Sequence, residues 1–341
     1  MGVAAPRRRR VSMVDVARHA GVSQKTVSRV VNEERYVTDE VRERVQASID
    51  ELGFHPNDAA RTLVTRRSRR IGVVSMGTTT LHGPTAILAG IEEAVQRAGY
   101  ALSIVRTAPG GGAEIQAAVD ALAGQGVEAI VLSEPVDFSE DPLRIPDGIE
   151  VLTFSSEPMT SSPREFTVAS DEFAGARDAV WHLLDSGAKS VDHIAGPRNW
   201  LASRNRTNGW RVAHDEYGAT PGEQLEGDWS PASGRAAMTR LLDRGGCTAV
   251  FVANDFMAIG AMSAITDAGL TVPDDIAIVG FDDTDIAPFL TTPLSSVHRD
   301  FGALAHAGMR ELLARLDGKP PIEAREPVPS QLVIRASSAK N

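Results

Sequence analysis

The sequence predicts an α/β protein, with a small all-α head followed by a larger body built on parallel sheets. Up to Arg70 apolar residues recur at helical spacing, whereas from Ile71 onward short apolar runs alternate with amphipathic helices, which is typical of parallel strands joined by crossover helices. Charge divides the chain at the same place: the net charge is +6 up to Arg70 and −16 beyond it, out of −10 for the whole chain. A basic head attracts nucleic-acid phosphates, and an acidic body is repelled by them.

Composition excludes several classes of protein. The content of 42% hydrophobic and 23% charged residues is that of a globular protein, and 341 residues suffice for two or three cores. No run approaches the roughly 20 apolar residues of a membrane helix, and the basic start has no apolar signal segment behind it, so we expect a cytoplasmic protein without a membrane partner. Cys247 is the only cysteine, which excludes an intrachain disulfide and a cysteine-based zinc site. We expect no cofactor and no metal.

The first predicted element is a pair of short helices around a glycine turn, over residues 12–32. Ser12 is a candidate N-cap, and Asp15 adds negative charge where the helix dipole favours it. Gly21 can adopt the left-handed conformation that ends the first helix, and Ser23 can cap the second. This arrangement favours a helix-turn-helix DNA-binding unit over a plain surface helix.

The second helix of this unit carries the candidate DNA contacts on its polar side. Its apolar residues Val27, Val30 and Val31 lie at helical spacing. Gln and Arg can form paired hydrogen bonds with base edges, Lys can reach guanine, and Thr, Ser and Asn suit phosphate oxygens. The candidates are Gln24, Lys25, Thr26, Ser28, Arg29 and Asn32.

A third helix and a linker complete the predicted head. Thr38 can cap a helix whose apolar residues are spaced by three and four and which ends at Gly53. We therefore expect a disordered basic leader at 1–10, a helix-turn-helix DNA-binding domain at 11–56, and a hinge helix with linker at 57–70. A hinge this short needs packing against a symmetry mate on DNA to stay helical.

The body is predicted as two doubly wound halves. In the first half we expect strands at 71–74, 101–105, 129–132 and 151–154, and helices at 84–97 and 113–123. In the second half we expect helices at 171–184, 204–217, 233–242, 256–268 and 301–316, and strands at 191–195, 249–253, 276–281 and 331–334.

Ligands of such sheets bind at the carboxyl ends of the strands, so the residues that follow each strand are the candidates. An aromatic ring together with Arg, Asn and Asp side chains around a cleft is typical of a sugar or polyol site. Trp229, Arg206, Asn254 and Asp282 supply these groups. Leu81, Pro84, Ile87, Ser133 and Ser155 also follow strands.

Several motifs together resemble the LacI/GalR family of bacterial transcription repressors over nearly the whole chain. In the head these are Val14-Asp15-Val16-Ala17, Ala20-Gly21-Val22-Ser23, Thr26-Val27-Ser28-Arg29-Val30-Val31-Asn32 and Pro56-Asn57. In the body they are Ala195-Gly196-Pro197, Gly227-Asp228-Trp229-Ser230, Val252-Ala253-Asn254-Asp255 and Gly280-Phe281-Asp282-Asp283-Thr284.

The resemblance implies a periplasmic-binding-protein-like body of two subdomains. The N-terminal ligand-binding subdomain would comprise 71–169 with 299–328, and the C-terminal one 170–298 with 329–337. It also implies that Gln24, Lys25 and Arg29 read major-groove bases, while Leu63 of the hinge wedges into the minor groove. Ala60, beside Leu63, would allow the backbones of the two hinges to approach closely, and Asn57 would be the first residue of the hinge.

In the cavity the resemblance assigns a role to each candidate. Arg206 and Asp282 would hold sugar hydroxyls, Trp229 would be the aromatic platform, and Asn254 a polar partner. An apolar wall would come from Leu81, Pro84 and Ile87, with further contacts from Ser133 and Ser155. Phe256 and Ser155 replace polar or acidic sugar contacts found within the family, so the expected ligand is not a galactoside.

The expected function is a ligand-responsive DNA-binding transcriptional regulator, a homodimeric repressor released from a pseudopalindromic operator by a sugar inducer. A repressor that needs a purine or other small-metabolite corepressor is the alternative. The printed chain has no leucine heptad repeat after its last strand, which favours a dimer over a tetramer. A solute-binding protein for transport would have the same body but would need export, and the head and the missing signal peptide argue against that.

An enzyme acting on sugars through Asp282 and Asp283 is the remaining class. Adjacent carboxylates on a strand point to opposite faces, which is poor geometry for shared acid and base chemistry. The sequence also lacks the motifs G-x-G-x-x-G, the Walker loop, G-x-S-x-G and H-E-x-x-H. We therefore expect no enzymatic activity.

Overall fold

The structure, a computed structural model, describes residues 11–31, 36–54, 67–76, 82–107, 112–133, 136, 142–321 and 326–339. The chain divides into two compact units, Met1–Ser68 and Arg69–Asn341. The predicted leader and most of the predicted hinge lie outside the described residues.

The first unit contains three helices whose ends follow the predicted signals. In the capping box of the first helix, the Ser12 hydroxyl accepts from the Asp15 N–H at 3.4 Å, and an Asp15 carboxylate oxygen accepts from the Ser12 N–H at 3.0 Å. Gly21 ends this helix at φ 64°. The Ser23 hydroxyl accepts from the Thr26 N–H at 3.1 Å at the start of the second. The helices are α1 (Met13–Ala20), α2 (Gln24–Val31) and α3 (Asp39–Leu52).

A small apolar core holds these helices together. Val16, Val27 and Val45, one from each helix, are fully buried at its centre. His19 Nδ1 lies 3.1 Å from the Ser48 hydroxyl and so links α1 to α3. Thr38 stands at the N-cap of α3 as predicted, but its side chain makes no capping hydrogen bond.

The first sheet of the body has five parallel strands in the order β2-β1-β3-β4-β5. The strands are β1 (Arg70–Met76), β2 (Ala101–Thr107), β3 (Ala129–Leu132), β4 (Glu150–Thr153) and β5 (Glu165–Thr167). Helix α5 (Gly112–Gly124) packs on one face of this sheet, while α4 (His82–Arg97) and α10 (Phe301–Leu316) pack on the other.

The second sheet has six strands in the order β11-β10-β9-β8-β6-β7. All neighbours are parallel except β10 and β11, which are antiparallel. Helices α6 and α7 cover one face, and α8 and α9 cover the other. The strands are β6 (Asp192–Ala195), β7 (Gln224–Glu226), β8 (Ala249–Val252), β9 (Ala277–Asp282), β10 (Ser295–Arg299) and β11 (Ser330–Val333). The helices are α6 (Glu172–Asp185), α7 (Leu201–Tyr217), α8 (Pro231–Arg244) and α9 (Asp255–Asp267).

The chain passes between the two sheets after β5, after β10 and before β11. The first and third passages are joined by hydrogen bonds. The Asp171 N–H donates to the Val328 carbonyl at 2.9 Å, and the Val328 N–H donates to the Ala169 carbonyl at 2.8 Å. The second passage begins at Arg299, and its helix α10 packs on the first sheet.

The predicted α/β class, with its helical head and parallel sheets, is confirmed, but three strands were not predicted. These are β5, β7 and β10. The strand β10 buries Ser295 and Ser296 rather than an apolar run, because their hydroxyls hydrogen-bond to other buried groups. Among the described helices, none has the length and apolar character needed to cross a bilayer.

Candidate functional site

A cavity of about 780 Å³, counted with its open mouth, lies at the carboxyl ends of the strands of both sheets. Ser133 follows β3, Ser155 follows β4, Asn254 follows β8, and Asp282 ends β9. Of the predicted ligand contacts, the cavity is lined by Pro84, Ile87, Ser133, Ser155, Arg206, Trp229, Asn254 and Asp282.

Two predicted contacts are not among these lining residues. Leu81 lies outside the described residues. Phe256 is half-buried in the first turn of α9 and does not line the cavity, so its assignment as a cavity contact is not supported. The reason is helical geometry: each residue is turned by about 100° from the one before it, so Phe256 leaves the direction set by the N-cap Asn254.

Arg206 is the most buried charged group of the cavity. It lies on α7 with a side chain only 3% exposed, and its Nη2 is 2.9 Å from Glu172 Oε1 and 3.3 Å from Asp282 Oδ1. Its Nη1 donates to the Ala253 carbonyl. Burial alone lowers the pKa of Arg206, but Asp282 and Glu172 outweigh this effect, so its pKa is raised and the guanidinium stays charged.

A second guanidinium joins the same two carboxylates. Arg299, at the end of β10, has Nη2 at 3.2 Å from Glu172 Oε1 and Nη1 at 3.3 Å from Asp282 Oδ1. Its Nε donates to the Ser170 hydroxyl at 3.3 Å. Neither Glu172 nor Arg299 was predicted. The available signal was an Asp N-cap next to each: Asp171 caps α6, and Asp300 caps α10.

Trp229 supplies the aromatic surface that the sequence predicts. It is 7% exposed, and its φ of 72° lies in the left-handed region. Its ring covers Gly196, where a Cβ atom would overlap it. Asn254 holds the Trp229 backbone by donating from Nδ2 to its carbonyl at 3.1 Å. The platform is therefore fixed before any ligand arrives.

Two residues that line the cavity each carry a buried donor without an acceptor. Within the part of the chain that the structure describes, neither Arg206 Nε nor Trp229 Nε1 has a hydrogen-bond partner. Buried polar atoms are almost always paired, so these two N–H groups are exceptions among the buried polar atoms of the protein.

The neighbouring acids Asp255 and Asp283 are turned away from the cavity. Asp255 accepts from the Ser296 hydroxyl at 2.6 Å and from the Thr284 N–H at 2.7 Å, and burial raises its pKa to about 7. Asp283 lies 2.7 Å from Arg335 Nη1 and 3.2 Å from His298 Nδ1. Asp282 and Asp283 therefore face different surroundings, which does not suit shared acid and base catalysis.

In the head, Gln24 and Lys25 are exposed at the start of α2, and the predicted contacts Thr26, Ser28 and Arg29 are half-buried. The first turn of α2 has no acidic residue, so nothing there repels phosphate. The predicted contacts Asn32, Asn57, Ala60 and Leu63 lie outside the described residues.

Comparison with known proteins supports the description of both the head and the body. Residues 12–57 match the model of the bacterial regulatory proteins of the lacI family, and residues 180–338 match that of the periplasmic binding protein-like domain. The lactose operon repressor of Escherichia coli (strain K12) is 33% identical over 330 residues, covering 96% of this chain and 91% of the repressor.

Solved structures give the same result. The lac repressor dimer bound to operator and the anti-inducer ONPF superposes with a TM-score of 0.87 at 31% identity, covering 97% of this chain and 100% of that one. The complex of the transcriptional regulator CelR with cellobiose superposes with a TM-score of 0.70 at 29% identity, covering 96% of this chain and 100% of that one. This protein belongs to the lacI family of bacterial regulatory proteins, whose members are DNA-binding transcription regulators and not enzymes.

Proposed function

We propose that the chain is a cytoplasmic homodimeric repressor that binds a pseudopalindromic operator and is released from it by a sugar inducer. The observation that carries the effector class is that Arg206, Asp282 and Trp229 line one cavity. Guanidinium and carboxylate groups bind hydroxyls, and an indole ring packs on the C–H faces of a sugar. The operator-bound dimer of the lac repressor and the cellobiose complex of CelR support this proposal.

We assign DNA binding to the head and effector binding to the body. The head, 11–56, reads DNA through α2, with Gln24, Lys25 and Arg29 on base edges. The hinge, 57–70, is ordered on DNA by pairing with its dimer mate. The cavity lies between subdomains 71–169 with 299–328 and 170–298 with 329–337. An effector that favours one arrangement of these subdomains shifts the population that can bind operator.

The test uses the full-length protein and an operator selected from a random duplex library by repeated rounds of binding. Fluorescence anisotropy then measures the Kd for that operator alone and with a panel of sugars and nucleobases. We expect one or more sugars to weaken operator binding at least tenfold, and analytical ultracentrifugation to show a dimer.

The outcomes separate the alternatives. A ligand that tightens operator binding would make the protein a corepressor-dependent repressor. Failure of the selection to enrich any sequence would contradict the DNA-reading assignment. If an operator is enriched but no sugar changes its Kd, the assignment as a DNA-binding regulator stands and the assignment of a sugar effector is wrong.

A further inference from the structure

Four charged side chains that line the cavity neutralise one another. This charged cluster consists of Glu172, Arg206, Asp282 and Arg299, whose side chains are 9%, 3%, 12% and 13% exposed. Oε1 of Glu172 and Oδ1 of Asp282 each lie within 3.3 Å of both guanidinium groups. The cluster therefore holds two positive and two negative charges, and each guanidinium already faces two carboxylates.

The remaining atoms of the cluster suit hydroxyl groups. Among described residues, no hydrogen bond reaches Oε2 of Glu172 or Oδ2 of Asp282, and Nε of Arg206 lacks an acceptor. The two oxygens are acceptors and the Nε–H is a donor. A hydroxyl can donate to these two oxygens, whereas an ionised phosphate or carboxylate offers only acceptors.

A charged ligand is at a disadvantage in such a neutral, buried cluster. An anion has to leave water and then compete with Glu172 and Asp282 for guanidinium groups that they already occupy. A cation has the converse problem, because each carboxylate is already paired with two guanidinium groups. An uncharged polyol exchanges hydrogen bonds with water for hydrogen bonds with the cavity and adds no charge.

We propose that Glu172 and Arg299 set the effector class: their mutual neutralisation beside Arg206 and Asp282 makes the cavity select uncharged sugars over sugar phosphates, sugar acids and amino sugars. This inference rests on the proposed function of the cavity as a sugar-effector site. Without Glu172 the cluster carries an excess positive charge, and without Arg299 an excess negative charge.

The test changes the cluster charge one unit at a time in the full-length protein. The variants are Glu172→Gln, Arg299→Gln and the double variant, which is neutral again. Isothermal titration calorimetry measures the Kd values of D-glucose and D-galactose and of their 6-phosphates, uronic acids and 2-amino derivatives. Glu223→Gln is the matched control, since it removes a half-exposed carboxylate at the opposite end of the second sheet.

We expect the wild type and Glu223→Gln to bind a neutral hexose at least tenfold more tightly than its charged derivatives. Glu172→Gln should lower the ratio of the sugar-phosphate Kd to the neutral-hexose Kd by roughly tenfold or more, and the same ratio for the uronic acid should fall. Arg299→Gln should lower the corresponding ratio for the amino sugar. The double variant should restore the preference of the wild type for the neutral hexose.

Each failure has its own meaning. If a sugar phosphate or uronic acid binds the wild type as tightly as the neutral hexose, the inference is overturned while the sugar-effector function stands. The same holds if folded Glu172→Gln leaves the ratio unchanged. If none of the sugars binds the wild type, the proposed sugar effector falls and the inference with it. Thermal unfolding reports the folding of each variant, and should one single variant not fold, the other and the double variant still decide.

Discussion

In the head, Gln24 and Lys25 are exposed at the start of α2, whereas in the cavity Arg206 and Glu172 are almost completely buried. The helix ends of the head are fixed by local contacts, such as the capping box that joins Ser12 to Asp15. The cavity depends on ion pairs between residues 34 and 76 positions apart in the chain. Replacement of a cavity residue should therefore also affect the partner that it leaves behind.

The largest effect is expected for Arg206→Ala. It leaves Glu172 and Asp282 buried without their main partner, so the free energy of unfolding of the body should fall by about 3–5 kcal/mol and the effector response should be lost. Urea unfolding followed by tryptophan fluorescence measures this in the body alone, because all four tryptophans follow residue 180. The exposed Arg204 on the same helix is the control, as Arg204→Ala. A full effector response in Arg206→Ala would remove the cavity assignment.

A smaller effect, confined to DNA, is expected for Arg29→Ala. Loss of one base-reading side chain should cost about 1–3 kcal/mol of discrimination between operator and random duplex, while the Kd of the effector stays unchanged. Anisotropy titrations of both duplexes measure the ratio. Arg44→Ala, an exposed change on α3, should leave that ratio unaltered. If Arg29→Ala kept full discrimination, the reading helix would have been assigned wrongly.

The buried carboxyl of Asp255 predicts a pH dependence of the stability of the body. Its pKa is raised from 3.8 to about 7 in the folded chain, so between these values the folded state binds more protons than the unfolded state. The free energy of unfolding should therefore decrease as the pH rises through this window, by at most about 1.4 kcal/mol per pH unit.

Asp255→Asn isolates this contribution. Buried His193, whose pKa is lowered to about 4, has the opposite slope between about 4 and 6.5 but is common to both proteins. The variant should be less stable than the wild type at pH 5, because its amide nitrogen replaces a carboxyl oxygen that accepts from Thr284 or Ser296, and the gap should narrow toward pH 8 as the wild-type carboxyl ionises. Parallel unfolding profiles from pH 5 to 8 would contradict the assignment.

The smallest effect is expected for Ser12→Ala, which removes the capping box of α1. The helix should lose about 1 kcal/mol of local stability. Hydrogen exchange of the α1 amides in the full chain measures this as roughly fivefold faster exchange. Thr38→Ala is the matched comparison, because the Thr38 side chain makes no capping bond to α3. Equal effects of the two substitutions would show that the cap geometry does not control the head.

The same contrast explains how far the sequence alone could go. In the head, caps and apolar spacing are local, so α1, α2 and the end of α3 at Gly53 followed from neighbouring residues. In the body, β3 and α10 were predicted to the residue because their apolar patterns are complete.

The rest depended on distant partners. The serines of β10 are polar and predict a loop. They are buried because their hydroxyls donate to Asp255 and Arg335, which are distant in the sequence, so the strand and Arg299 at its end were not predicted. Glu172 has the sequence character of an exposed helix start, and only Arg206 on another helix accounts for its burial. Of the charged cluster, the sequence analysis named only Arg206 and Asp282.

The backbone of Trp229 and Asp282 constrains how the cavity can diverge during evolution. Both residues have positive φ, 72° and 96°, a conformation that costs side-chain-bearing residues about 1–2 kcal/mol and is worst for β-branched ones. Substitution there is limited to few residue types. Ser133 and Ser155 line the same cavity without this restriction. Among descendants of this protein, a change of effector should therefore begin at the two serines, while the tryptophan and the aspartate persist.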